Sequence, residues 1–217
     1  MKIILLGATG FVGAALLSEA LNRGHEVTAV VRNPAKLEEK SGLTVIRGDV
    51  NDSTSLSSSI AGHDVLISAF SPGWTPETVR PEMYEEQVRG TTSIISAVKK
   101  TEVKRVLWVG GAGGLEVAPG VMAADTPDFP EWIKPGSLAT SAALDALCSE
   151  PELEWSFLAP AAILEPGERT GQFRLGRDQL LVDSHGESRI SVQDYAVAMI
   201  DELEKPQHLR QRFSVAY

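Results

Sequence analysis

Residues 7–13 read GATGFVG, directly after the apolar run IILL at 3–6. Glycine at positions 7, 10 and 13 marks either a turn that needs small residues or a strand-to-helix junction whose backbone must stay bare. The flanks decide between them. KIILLG has a strand's length and no polar alternation, and FVGAALLSEALNRG puts Val12, Leu16, Leu17 and Leu21 on one helical face before Gly24 ends the period. A strand, a glycine-rich turn and a helix in that order open a β-α-β unit. There Gly7 permits the sharp turn, Gly10 lets a pyrophosphate approach the backbone, and Gly13 lets the helix pack closely on the sheet. The free N–H groups of the first helical turn present the positive end of the helix dipole to the phosphates.

The rest of the chain repeats this alternation. EVTAVVR, LTVIRGD, HDVLISAF, KRVLWVGG and LEWSFLAP read as further strands, with helices over 53–60, about 81–100 and about 137–148, and mostly loop over 111–135. The apolar runs are nearly continuous, as in parallel strands buried on both faces. The expected fold is α/β, a Rossmann-type doubly wound, mostly parallel sheet with right-handed crossovers in a single domain spanning 1–217. Past Pro160 the rhythm changes. FRLG and QLLVDSHGESRIS read as short strands with a turn at 184–187, ISVQDYAVAMIDELEK as a helix and RFSVAY as a closing strand. Residues 161–217 are therefore expected to form a small lobe on the substrate side, over the sheet's carboxyl edge.

A net charge of −9 and a pI near 5.0 argue against nucleic acid or an anionic membrane surface as the main partner, so a bound anion needs local positive potential. The single cysteine, Cys148, excludes an internal disulfide framework and reads as a buried helix position. The apolar stretch after Lys2 is too short for a signal peptide, and no run approaches the ~20 apolar residues of a spanning helix. A cytoplasmic protein is expected. His25, His63, His185 and His208 lie scattered without metal-ligand spacing, so no metal is expected, and the acidic clusters PEMYEEQ and IDELEK read as solvated helix faces.

The end of the second strand bears on the cofactor. An NAD-binding unit usually places an Asp or Glu there for the ribose hydroxyls, whereas VVRNPAK has Arg32 with Lys36 nearby. Two cations suit a 2′-phosphate, which favours NADP(H) over NAD(H).

GATGFVG with VVRNPAK, RGDVND and ISAFSPG resembles the atypical short-chain dehydrogenase/reductases, in the NAD(P)H-binding group that includes NADH-flavin reductases and is similar to biliverdin reductase B. WVGGAGGLEVAPGV, DTPDFPEW, FLAPAAILEPGERTG and SRISVQDYAVAMIDELE extend the likeness along the whole chain. The resemblance implies that Gly7, Thr9, Gly10, Phe11, Val12 and Gly13 form the phosphate loop and that Arg32 meets the 2′-phosphate. It puts Asp49 and Val50 beside the adenine and Ala69, Phe70 and Ser71 along the ribose next to the nicotinamide. Gly110 and Gly111 lie beneath the nicotinamide, and Pro160 follows the sixth strand.

One feature of typical short-chain dehydrogenases is missing. The helix before the sixth strand reads GSLATSAALDALC, so Ser137 and Ser141 stand where a Tyr-x-x-x-Lys pair belongs, and Gly111-Ala112-Gly113 replaces a hydroxyl after the fifth strand. Reducing a ketone develops an alkoxide that needs a positioned acid, whereas a flavin or quinone-like ring spreads the charge itself. The implied small-molecule acceptor is therefore a flavin, bound as substrate and not as prosthetic group, or a quinone-like ring. Trp74, Phe129 and Trp132, with Ala112, lie in loops that would overhang it. The missing dyad equally suits a non-catalytic NAD(P)-binding sensor of the NmrA-like type, while it speaks against a sugar-nucleotide epimerase.

Overall fold

The computed structural model describes residues 1–217. Strands β1 (Lys2–Leu6), β2 (Glu26–Val31), β3 (Leu43–Arg47), β4 (Val65–Ser68), β5 (Arg105–Val109), β8 (Glu154–Ala159), β10 (Arg174–Gly176) and β12 (Gln211–Ala216) form one eight-stranded sheet. Its order is β10-β12-β8-β5-β4-β1-β2-β3, parallel throughout except for β10, which runs antiparallel to β12. The chain steps outward from β1 through β2 to β3 and then returns to β4 on the other side of β1. This reversal opens a crevice at the carboxyl ends of β1 and β4, where Leu6 is level with Ser68.

The unbroken apolar strands follow from burial on both faces. Along β1, Ile3 and Leu5 enter one core with α1 (Phe11–Asn22) and α5 (Val192–Glu204). Ile4 and Leu6 enter the other with α2 (Ser53–Ile60), α3 (Met83–Lys99) and α4 (Lys134–Cys148). Alternate side chains of the central strands thus feed two apolar layers. Gly24, at φ +78°, ends α1, and Ser191 caps α5 by accepting the Asp194 N–H at 3.0 Å.

The tail after Pro160 divides. Residues 161–191 place β9 (Ile163–Glu165) parallel to β11 (Arg189–Ser191) and lay β10 along the sheet edge. By contrast, α5 packs on α1 and β12 extends the sheet beside β8, so both belong to the domain's main layers and not to a lobe. The loop over 111–135 contains a small hairpin, β6 (Glu116–Ala118) with β7 (Val121–Met122), and α4 begins three residues earlier than its apolar period implies.

Two local expectations are corrected. Cys148 is exposed, on the outer side of the last turn of α4, whose Leu147 faces the core. Glu202 of IDELEK is buried, not solvated: it accepts from Arg105 Nη2 at 3.1 Å, Ser156 Oγ at 2.9 Å and His208 Nδ1 at 2.8 Å. Burial pushes its carboxyl up, but these donors and the Gln207 and His208 amides outweigh that and hold it below the ordinary carboxylate range. No helix is long and apolar enough to cross a membrane.

Candidate cofactor site

At the carboxyl end of β1 the chain turns through Gly7, whose φ of +80° lies in the left-handed region. A Cβ there would stand 2.3 Å from the Ala69 carbonyl oxygen, and one on Gly13 2.0 Å from the Gly7 carbonyl oxygen. Backbone packing fixes both glycines. Gly10 is different. It is exposed, its φ of −84° and ψ of 170° suit any residue, and a Cβ would meet only the Gly7 carbonyl oxygen, at 3.3 Å. The protein's own packing does not demand glycine at 10.

The Gly10 N–H donates to the Gly7 carbonyl at 2.9 Å, and the Gly10 carbonyl accepts from the Ala14 N–H at 2.9 Å. The N–H groups of Phe11, Val12 and Gly13 find no acceptor in the protein, the first turn of α1 carries no acid, and no side chain caps it. Bare donors at the positive end of a helix, beside exposed Thr9 and Phe11, fit the phosphates of a dinucleotide.

Arg32 follows β2 directly, is exposed and joins none of the protein's ion pairs. Lys36, also exposed and unpaired, sits in the short 3-10 turn that Asn33 caps by accepting the Ala35 N–H at 3.2 Å. In the next strand exit, Asp49 Oδ1 accepts from the Asn51 N–H at 2.9 Å and from Asn51 Nδ2 at 3.0 Å, with Val50 half-buried beside it.

On the other side of the crevice, the Ala69 N–H donates to the Leu6 carbonyl at 3.0 Å, which holds the exit of β4 against Gly7. Phe70 turns its ring onto Gly90 of α3, where a Cβ would be 2.2 Å from Cε1, and exposed Ser71 accepts the Gly73 N–H at 3.1 Å. The Gly110 N–H donates to the Leu158 carbonyl at 2.8 Å, which also accepts from the buried Tyr195 hydroxyl at 2.7 Å. Burial pushes that phenol up, so Tyr195 is a neutral brace. Pro160 is buried at the end of β8. The residues singled out from the sequence therefore gather at the carboxyl ends of β1, β2, β3, β4, β5 and β8.

The acceptor-side candidates separate. Trp74 lies flat on Gly136, where a Cβ would be 2.8 Å from Cδ2, and Phe129 packs against Gly113. Ala112 is half-buried, while Trp132 is an exposed residue of the turn before α4. The α4 hydroxyls close this end: Thr140 contacts Gly111, and Ser137 is buried under Gly113 with no hydrogen-bond partner. Sequence reasoning missed Thr140 and also Gln87, a buried amide on α3 within PEMYEEQ, the other cluster read as solvated. A groove also lies at the opposite, amino edge, near Lys2, Glu26 and Thr44, and the ring nitrogens of His63 there are taken up by the Ile60 carbonyl and Thr28.

A doubly wound sheet with a glycine turn and unpaired N–H groups at its switch point is the architecture of a dinucleotide-binding protein. The chain belongs to the NAD(P)H-binding family, whose model matches residues 7–203. It is 38% identical over 218 residues to the uncharacterized protein YwnB of Bacillus subtilis (strain 168), spanning 99% of this chain and 98% of that protein. Among solved structures it is similar to a "putative epimerase" from Bacteroides thetaiotaomicron, at 48% identity and a TM-score of 0.91 over 100% of this chain and 96% of that one. It is also similar to a "putative NADH-flavin reductase" from Streptococcus pneumoniae TIGR4, at 34% identity and a TM-score of 0.85 over 100% and 99% of the two chains.

Proposed function

We propose that this chain is a cytoplasmic NAD(P)H-dependent reductase that prefers NADPH and reduces a flavin or quinone-like acceptor without a Tyr-Lys dyad. The observation that carries the reading is the lining at Gly111: α4 contains no tyrosine and presents Ser137, Thr140 and Ser141 there. An acceptor in that place must spread its own developing charge, which a fused or quinonoid ring does. The name of the Streptococcus relative accords with this, whereas that of the Bacteroides relative points to a different reaction.

Bound reduced nicotinamide supplies the hydride. The backbone over 7–13 holds the pyrophosphate, and Arg32 with Lys36 meets the 2′-phosphate. Gly110 and Gly111 lie beneath the nicotinamide, and Trp74 and Phe129 orient the acceptor ring. Catalysis then rests on alignment.

The test is the loss of reduced-nicotinamide absorbance when the purified protein meets NADPH and excess FMN, with NADH in parallel. Protein-dependent turnover, faster with NADPH, supports the reading. Tight NADPH binding without oxidation by FMN or a quinone overturns it in favour of a dinucleotide sensor, which the missing dyad also allows. Arg32→Ala is expected to weaken NADPH by roughly ten- to a hundredfold, the loss of one hydrogen bond to a charged group, and to leave NADH nearly unchanged. Equal losses for both cofactors would refute the role of Arg32.

A further inference from the structure

Gln87 has no evident reason to be polar. It lies on α3 with only 6% of its surface exposed, and an unsatisfied amide in such a place is costly. Both ends of the amide are used. Its Oε1 accepts the Trp74 indole N–H at 2.5 Å, and its Nε2 donates to Thr140 Oγ1 at 3.3 Å. The Thr140 hydroxyl donates in turn to the Gly136 carbonyl at 2.8 Å, and Gly136 is the shelf on which the Trp74 ring lies. The circuit closes. It joins the loop after β4, α3 and α4, and touches the end of β5 through the Thr140 methyl, which a Cβ on Gly111 would meet at 3.3 Å.

We propose that Gln87 is a positioning residue: it clamps Trp74 to Thr140, so that the indole is a fixed wall of the acceptor pocket at a set distance from Gly111. The proposal rests on the reductase reading for the identity of the pocket, but the clamp itself stands on the hydrogen bonds. A fixed aromatic wall selects flat acceptors, since ring stacking needs parallel planes. A wall free to rotate loses that alignment and leaves the phosphate and ribose contacts as they were.

The test uses Gln87→Met, which keeps the volume and removes both hydrogen bonds, and Gln87→Glu, which keeps an acceptor for the indole. Expected for Gln87→Met is a fall of roughly ten- to a hundredfold in kcat/KM for FMN, the scale of a small misplacement of a reacting group, with the Kd for NADPH unchanged. Gln87→Glu keeps the indole half of the clamp and loses the donor to Thr140, so a smaller fall in kcat/KM than in Gln87→Met is expected. Independently of turnover, the Trp74 indole proton, assigned by its disappearance in Trp74→Phe, should be protected from solvent exchange in the wild type and in Gln87→Glu but not in Gln87→Met. Wild-type kinetics in a folded Gln87→Met, or an equal loss in NADPH affinity, would overturn the positioning role. A wild-type protein inert towards FMN sinks the reductase reading alone; the clamp then stands or falls on the indole proton.

Discussion

Replacing Gly10 by alanine separates what the fold needs from what the crevice needs. The backbone at 10 already has dihedrals that alanine adopts, and the added Cβ meets nothing closer than a carbonyl oxygen at 3.3 Å. Alanine is a poorer helix N-cap than glycine by roughly 0.5–1 kcal/mol. Its smaller unfolded-state entropy returns about 0.4–1 kcal/mol. Stability should therefore move by less than about 1 kcal/mol, within the scatter of those two effects. Binding should not escape. If a pyrophosphate uses the unsatisfied N–H groups of Phe11, Val12 and Gly13, a methyl added at this turn is expected to cost it at least one hydrogen bond to a charged group. Such a bond contributes about 1.5–3 kcal/mol, a roughly ten- to hundredfold rise in the NADPH Kd. Gly13→Ala is the control, with its Cβ 2.0 Å from the Gly7 carbonyl oxygen and an expected overpacking cost of about 1–3 kcal/mol. Urea denaturation reads the stability of both variants, and titration of NADPH fluorescence reads affinity. A Gly10→Ala protein that binds NADPH as tightly as the wild type refutes the phosphate role of this turn.

Two further outcomes concern the tail. Asp194 is fully buried and accepts from Thr170 Oγ1 at 2.5 Å, the Gly171 N–H at 2.7 Å and the Tyr217 hydroxyl at 2.9 Å, so Asp194→Ala should cost about 2–3 kcal/mol and release the 166–172 loop to hydrogen exchange; an unchanged urea midpoint would contradict this anchor. Glu19 is held below the ordinary carboxylate range chiefly by its hydrogen bond to Arg169, with Arg23 adding to it against the opposing effect of burial. A depressed folded pKa gives stability that is present above the unfolded value, near 4.5, and lost as pH falls through the folded one. Glu19→Gln should flatten that acid loss and cost about 1 kcal/mol at neutral pH, because Arg169 is half exposed and Arg23 keeps Asp201 and Glu204. A full-sized acid loss in the variant would assign the effect to another carboxylate.

Much of the cofactor side is legible in the sequence because it depends on neighbours in the chain. The turn at Gly7, the free first turn of α1 and the cation after β2 each arise within a few residues of the motif that announces them. The mostly parallel sheet follows from the alternation of strands and helices. The placement of α5 and β12 is less legible, since a helix and a strand read one after another do not say which sheet edge receives them. The β9–β11 ladder joins two three-residue strands far apart in the chain and has no local signature.

The errors at PEMYEEQ and IDELEK share one cause. Charged residues crowd each of these helices, which predicts a solvated face, yet each contains a buried polar side chain, Gln87 in one and Glu202 in the other. Burial of such a group is decided by its partners, and these are remote: Thr140 is 53 residues from Gln87, and Arg105 is 97 from Glu202. A hydrophobic period records what water is removed from, but not what a buried amide or carboxylate is paired with. The two groups also differ in consequence. Glu202 ties α5 to the starts of β5 and β8, away from the crevice, where a buried ion pair serves the fold. Gln87 joins the loop after β4 to α4, whose Thr140 borders Gly111. Polar burial invisible to sequence pattern is thus most informative where it lies against the site.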